Sequence, residues 1–233
     1  MQSSDLLSTT WCVHLRTHAP IARAGVDPEG IHQVRVALQR MRIWLRMHRK
    51  KRFARRLRDL RATLGAARDL DVLLLRDPPE PFAAWLRSQR EALNLTPSLD
   101  VLPALADEVQ ALPGVPRPQA WAATADWAQD CLERAEALDP ADDETFHTLR
   151  RRVRRVRYGL EWLGEDSEAV KRVQAVLGRM NDASVTLDHL TRWGGPAPEW
   201  ADALEAELRS LRVEGQASWS RERSRFVEIS ALR

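Results

Sequence analysis

The sequence predicts an all-α protein built from two related helical halves, and three observations lead there. Apolar residues recur at three- and four-residue spacing along most of the chain, and no segment alternates like a strand. Proline- and glycine-rich breaks cut the chain into pieces of ordinary helix length. A basic pattern beginning at His32 returns at His147, an offset of 115 residues.

Each element follows from these signals. A leading helix is expected over about 5–18, stopping before Pro20. Asp27-Pro28-Glu29 offers an N-cap, a first-turn proline and early negative charge, so the next helix starts there and runs to about Arg49. Another begins at Arg52 or Phe53, and Asp77-Pro78-Pro79-Glu80-Pro81 interrupts the chain. Helices over about 81–94 and 98–112 precede a second interruption, Pro113 to Pro118. A helix over 119–138 follows, and Asp139-Pro140 opens the stretch towards Leu163. Gly164 and Asp166 separate it from a helix over 167–192, and Gly194 to Pro198 precede a terminal amphipathic helix. As one domain over 1–233, the halves cover about 5–112 and 118–228.

Composition narrows the class. With 44% hydrophobic and 30% charged residues the chain suits a folded core and not disorder. No apolar run nears the roughly 20 residues of a membrane helix, and the opening residues lack the basic-then-apolar order of a signal peptide. Cys12 and Cys131 lie far apart without CxxC spacing, which reads as reduced core thiols. A cytoplasmic protein without a membrane partner or cofactor is the expectation.

The net charge of +3 conceals a strong asymmetry. Residues 29–76 hold 14 Lys/Arg against 4 Asp/Glu, residues 77–146 hold 4 against 14, and residues 147–181 hold 9 against 4. Only Lys50, Lys51 and Lys171 are lysines among 36 basic residues. Guanidinium groups match phosphate oxygens two at a time, so the bias fits an oxyanion.

The basic blocks are striped. His32, Arg35, Gln39, Arg42, Arg46 and Arg49 follow 3-4 spacing, as do His147, Arg150, Arg154, Arg157 and Glu161. Beside each runs an apolar stripe: Ile31, Val34, Leu38, Met41 and Leu45, and then Phe146, Leu149, Val153, Val156 and Leu160. Each helix would therefore pack on one side and present imidazole and guanidinium groups beside it. Like charges at this spacing repel, so the pattern calls for a counter-anion. Cations along roughly 25 Å of helix suit an extended polyanion better than one phosphate. The bland reading is a solvated basic face paired with the acidic middle block; its repetition at the same phase in both halves weighs against that.

Other constellations carry less. His14 and His18 share a helix face without a third ligand, and arginines around His32 and His147 would repel a cation, so no metal site is expected. Asp69, Asp71 and Asp182 read as caps or arginine-orienting partners, and no catalytic residue is assigned. Trp11, Trp85, Trp121, Trp127, Trp200 and Trp219 lie in amphipathic stretches and read as packing residues.

Two phrases resemble a known family. Ile31-His32-Gln33-Val34-Arg35 through Met41-Arg42, followed by Leu64-Gly65-Ala66-Ala67-Arg68-Asp69-Leu70-Asp71-Val72-Leu73, is similar to CHAD domains, the conserved histidine α-helical domain. The second half agrees at Phe146-His147, Arg150, Arg154, Arg157 and Leu177-Gly178, with Asn181-Asp182 beyond. The resemblance spans about residues 5–225. It implies two pseudo-symmetric antiparallel four-helix bundles around a basic central channel, and binding of inorganic polyphosphate without a catalytic apparatus. By position, His32, Arg35, Arg42, His147, Arg150, Arg154 and Arg157 would line that channel, with Arg40, Arg46, Arg49, Arg61, Arg68, Arg151 and Lys171 as further candidates. Gln39 departs from the family's usual base and would thin the charge of the first half. Two other classes stand beside this reading. One is single-stranded nucleic-acid binding, for which only Trp44, Tyr158 and Trp162 lie within the basic helices. The other is a phosphoanhydride-processing enzyme, which needs metal-holding carboxylates among the arginines.

Overall fold

A computed structural model of the chain describes residues 5–232 apart from 137, 140 and 141. The described elements are helices, with one antiparallel bridge between Leu6 and Val115. They fall into two compact units that divide between Arg117 and Pro118.

The first unit contains α1 (Thr9–Ala24), α2 (Pro28–Met47), α3 (Lys51–Thr63), α4 (Gly65–Leu74), α5 (Glu80–Glu91), α6 (Thr96–Asp100) and α7 (Leu102–Gln110). Its centre is α2, which packs against α1 and α3 and buries Ile31, Val34, Leu38, Met41 and Leu45 completely or nearly so. The N-cap is the expected one: Asp27 accepts from the Glu29 N–H at 2.8 Å.

Several boundaries differ from expectation, each for a physical reason. Helix α1 runs through Pro20. The proline ring lies on an exposed face while Leu15, Ala19 and Ala22 are buried, so packing offsets a cost of roughly 3 kcal/mol for the lost hydrogen bond and the ring clash. The helix ends instead at Gly25, whose φ of 68° favours glycine. Its start shifts to Thr9 because Leu6 is extended, exchanging hydrogen bonds with Val115 at 2.8 and 3.0 Å and accepting from Trp44 Nε1 at 2.7 Å. The expected helix over 98–112 is two helices, α6 and α7, because Pro103 cannot continue a helix from residue 99 and sits in a new first turn.

The end of α2 is the most informative difference. The helix stops at Met47, and Arg49 adopts a left-handed φ of 59°. The Arg49 N–H donates to Arg46 O at 3.0 Å and the Lys50 N–H to Leu45 O at 2.9 Å, which is a Schellman closure. A non-glycine residue in this region costs roughly 1–2 kcal/mol. Arg49 thus leaves the helical register that its spacing suggested.

The second unit contains α8 (Arg117–Glu136), α9 (Asp143–Leu163), α10 (Glu168–Trp193) and α11 (Pro198–Ser230). Helix α10 packs against both α9 and α11. The core joins Phe146, Leu149, Val153, Val156 and Leu160 of α9 to Leu177 and Met180 of α10 and to Trp219 and Phe226 of α11. Asp142 caps α9 by accepting from the Glu144 N–H at 2.9 Å; the proposed opening at Pro140 lies outside the described residues. Gly159 admits Thr124 of α8, since a Cβ there would stand 2.4 Å from the Thr124 hydroxyl oxygen.

Candidate functional site

Both stripes sit where the spacing places them, half-buried beside a buried apolar ridge. On α2 the stripe comprises His32, Arg35, Gln39, Arg42 and Arg46. Arg35 Nη1 donates to the Arg61 carbonyl oxygen at 2.8 Å, reaching the C-terminal end of α3. A helix C-terminus carries unsatisfied carbonyls and partial negative charge, so it suits a cation. The path crosses Gly65, where a Cβ would stand 3.0 Å from Arg35 Nη1. His32 is held below the usual histidine value chiefly by burial, then by the charges of Arg68 and Arg35, with Glu29 opposing. Gln39 is buried, and its Oε1 accepts from Arg42 Nη1 at 3.3 Å.

On α9 a single α10 side chain organises the equivalent residues. Arg150 Nη1 donates to Asn181 Oδ1 at 2.9 Å, and His147 Nδ1 lies 3.1 Å from the same oxygen. A guanidinium only donates, so the Asn181 atom must be the oxygen, and His147 Nδ1 must carry a proton. The neutral imidazole is thereby fixed as the Nδ1–H tautomer, leaving Nε2 as the nitrogen that titrates. Burial is the main cause that lowers the His147 pKa, followed by Arg151 and Arg150, while Glu144 and Asn181 oppose it. Arg154 stands at the position equivalent to Gln39; burial lowers its pKa, and its Nε has no hydrogen-bond partner. Arg157 pairs with Glu161 at 2.8 Å and lies over the Tyr158 ring at 5.4 Å.

The arginines of α9 off the stripe are neutralised within the unit. Arg152 pairs with Asp130 of α8 at 2.5 Å, and Arg155 stands 3.9 Å from the same carboxylate. The bland reading therefore holds for these two.

The remaining candidates separate. Arg151 is exposed and paired with Glu144 at 2.9 Å, and Lys171 is paired with Glu168 at 2.5 Å. Arg40 lies over the Trp11 ring at 4.8 Å, which ties α2 to α1. Arg61 contributes its carbonyl to Arg35, and Arg68 lends its charge to His32. Arg49 belongs to the α2–α3 corner, off the stripe. Asp71 orients Arg90 at 2.9 Å, joining α4 to α5, while Asp182 lies inside α10 and not at a helix end.

Sequence reasoning passes over Asn181 as a site residue, quoting the Asn181-Asp182 pair only as part of the family resemblance. Its alignment with Arg68 in the repeated phrase is the signal that could have found it. His147 and Asn181 line a cavity of about 280 Å³ together with the apolar Phe146, Leu177 and Met180. Asp143, Glu144 and Asp188 also line it, so it repels an anion. Among the described residues, no three His, Cys, Asp or Glu side chains group in a way that could hold a metal ion.

Comparison with known proteins adds to this geometry. The CHAD domain family model matches residues 12–191. The fold is similar to the crystal structure of the CHAD domain from the plant Ricinus communis, with a TM-score of 0.61 and 24% identity, covering 100% of this chain and 93% of that one. It is also similar to PptA from Streptomyces chartreusis, with a TM-score of 0.55 and 18% identity, covering 97% of this chain and 100% of that one. No curated protein matches.

Proposed function

The chain belongs to the CHAD domain family, and from that premise we propose that it binds inorganic polyphosphate through its two Arg/His stripes without catalysing a reaction. The observation that carries this reading is the pair of stripes on α2 and α9, each flanked by a buried apolar ridge. Arg35 and Arg150 are each anchored from a second helix, so their positions are set before a ligand arrives. Arginines repeated along a helix meet successive phosphates of a flexible chain, and such interactions release counterions.

The aromatic residues favour polyphosphate over single-stranded nucleic acid. Trp44 is fully buried, and Tyr158 is covered by Arg157. Trp162, the third ring of the basic helices, is half-buried, so a base would find no row of open rings to stack on. No helix among the described residues is long and apolar enough to cross a membrane.

Equilibrium competition tests the reading. Polyphosphate is expected to displace single-stranded DNA of equal charge, and incubation with polyphosphate and Mg²⁺ or Mn²⁺ is expected to release no phosphate. Preference for DNA overturns the ligand, and sustained turnover overturns the binding-only role.

A further inference from the structure

The two stripe helices end in the same backbone closure and present opposite charge beyond it. After α9, the Gly164 N–H donates to Glu161 O at 3.3 Å and the Glu165 N–H to Leu160 O at 2.9 Å. These bonds reproduce, residue for residue, those made by Arg49 and Lys50 after α2, with φ of 73° at Gly164 and 59° at Arg49. The next residues are Glu165-Asp166-Ser167 in one corner and Lys50-Lys51-Arg52 in the other.

Glycine holds the left-handed position at the α9–α10 corner, as the backbone prefers. At the α2–α3 corner an arginine holds it against that preference. Arg49, Lys50, Lys51, Arg52 and Arg55 are all exposed, and none has a side-chain hydrogen bond, ion pair or ring contact with a described residue. Their neighbours Arg56 and Arg58 are paired, with Glu108 and Asp59. The first turn of α3 holds no acidic residue, so Lys51 and Arg52 face the positive end of that helix, while Arg49 and Lys50 follow the negative end of α2. Two of the three lysines in the chain are here. Backbone preference and mutual repulsion oppose this cluster, and an anion relieves the second.

We infer that the α2–α3 corner is an outer landing for a phosphate chain, continuing the α2 stripe past Arg46, with no counterpart at the α9–α10 corner; this rests on the polyphosphate reading of the stripes. A chain long enough to fill the stripe and overhang it meets further cations and releases more counterions. A short oligomer held on the stripe does not reach the corner. Exposed side chains without packed neighbours hold the overhang by charge and not by shape, so this part of the affinity is the most sensitive to salt.

The test measures binding of tripolyphosphate and of long-chain polyphosphate at fixed ionic strength, with circular dichroism to check folding. The corner variant is Lys50→Glu/Lys51→Glu/Arg52→Glu and the stripe variant is Arg35→Glu/Arg150→Glu. The corner variant should weaken long-chain binding about tenfold and flatten its salt dependence, leaving tripolyphosphate within about twofold. Glu165→Lys, which places a cation at the acidic corner, should tighten long-chain binding alone. If the corner variant leaves long chains unaffected, or weakens both ligands equally, the landing is overturned while the stripes stand. If the stripe variant leaves both ligands unaffected, the polyphosphate reading itself fails.

Discussion

Helices α2 and α9 carry the same stripe but hold it differently. In the first unit Arg35 is anchored on a backbone carbonyl of α3, reached across a glycine. In the second unit Arg150 and His147 converge on one amide side chain of α10. A backbone anchor cannot be deleted by mutating the residue that supplies it, whereas Asn181 can be removed and would release two stripe residues at once. The charge differs too, since Gln39 stands where the second unit has Arg154, and Arg46 where it has Glu161. The first unit spreads its cations towards the end of its helix, while the second concentrates them in the middle and neutralises its last turn.

The largest expected effect short of charge reversal comes from Asn181→Leu. It frees His147 and Arg150 together, and ordering the two side chains on the ligand, at about 0.5–1.5 kcal/mol each, should weaken polyphosphate binding about tenfold by calorimetry. Arg61→Leu, which keeps the carbonyl that holds Arg35, should change affinity far less. Equal losses would erase the distinction between the two anchors.

Gln39→Arg should give the first unit the cation that Arg154 gives the second. Affinity should rise severalfold, and the slope of log affinity against log salt should steepen by about 0.7–0.9. An unchanged slope would mean that this position does not meet the ligand.

Acidity should strengthen binding. In the free protein both histidines are depressed below the ordinary value of 6.5, so they are neutral at pH 8. A phosphate near Nε2 favours the imidazolium and raises its pKa, so binding takes up protons. Affinity should therefore climb severalfold as pH falls through the bound-state value, and level off below the free-state value. His32→Ala/His147→Ala should flatten the profile between pH 8 and 5.5, and an unaltered profile would remove histidine from the site.

The smallest effect separates two equivalent glycines. Gly65→Ala pushes a methyl against Arg35 Nη1, so affinity should fall about twofold to fivefold with little change in stability. Gly178→Ala meets nothing within 4 Å inside α10, so it should raise stability by up to about 1 kcal/mol in thermal unfolding.

The stripes are legible in the sequence because helical period and burial are local properties: Ile31 to Leu45 and Phe146 to Leu160 announce their buried ridges unaided. The Asp27 cap is legible for the same reason. What escapes depends on neighbours distant in sequence or on backbone states that residue type conceals. Asn181 lies 34 residues from the histidine it fixes, and nothing local marks it as a partner. Arg49 continues the 3-4 spacing perfectly, yet the chain turns there in a conformation normally advertised by glycine. Pro20 stays inside α1 because α2 covers the opposite face, which a local rule cannot weigh. Leu6 is extended because Val115 and Trp44 receive it.

The most direct measurement is the affinity of Arg35→Glu/Arg150→Glu for long-chain polyphosphate at fixed salt, with folding verified. Reversing one anchored arginine in each stripe should weaken binding by roughly a hundredfold or more, because each hydrogen bond between a guanidinium and a phosphate is worth about 1.5–3 kcal/mol. Binding unchanged from the parent protein would contradict a phosphate-binding role for the stripes.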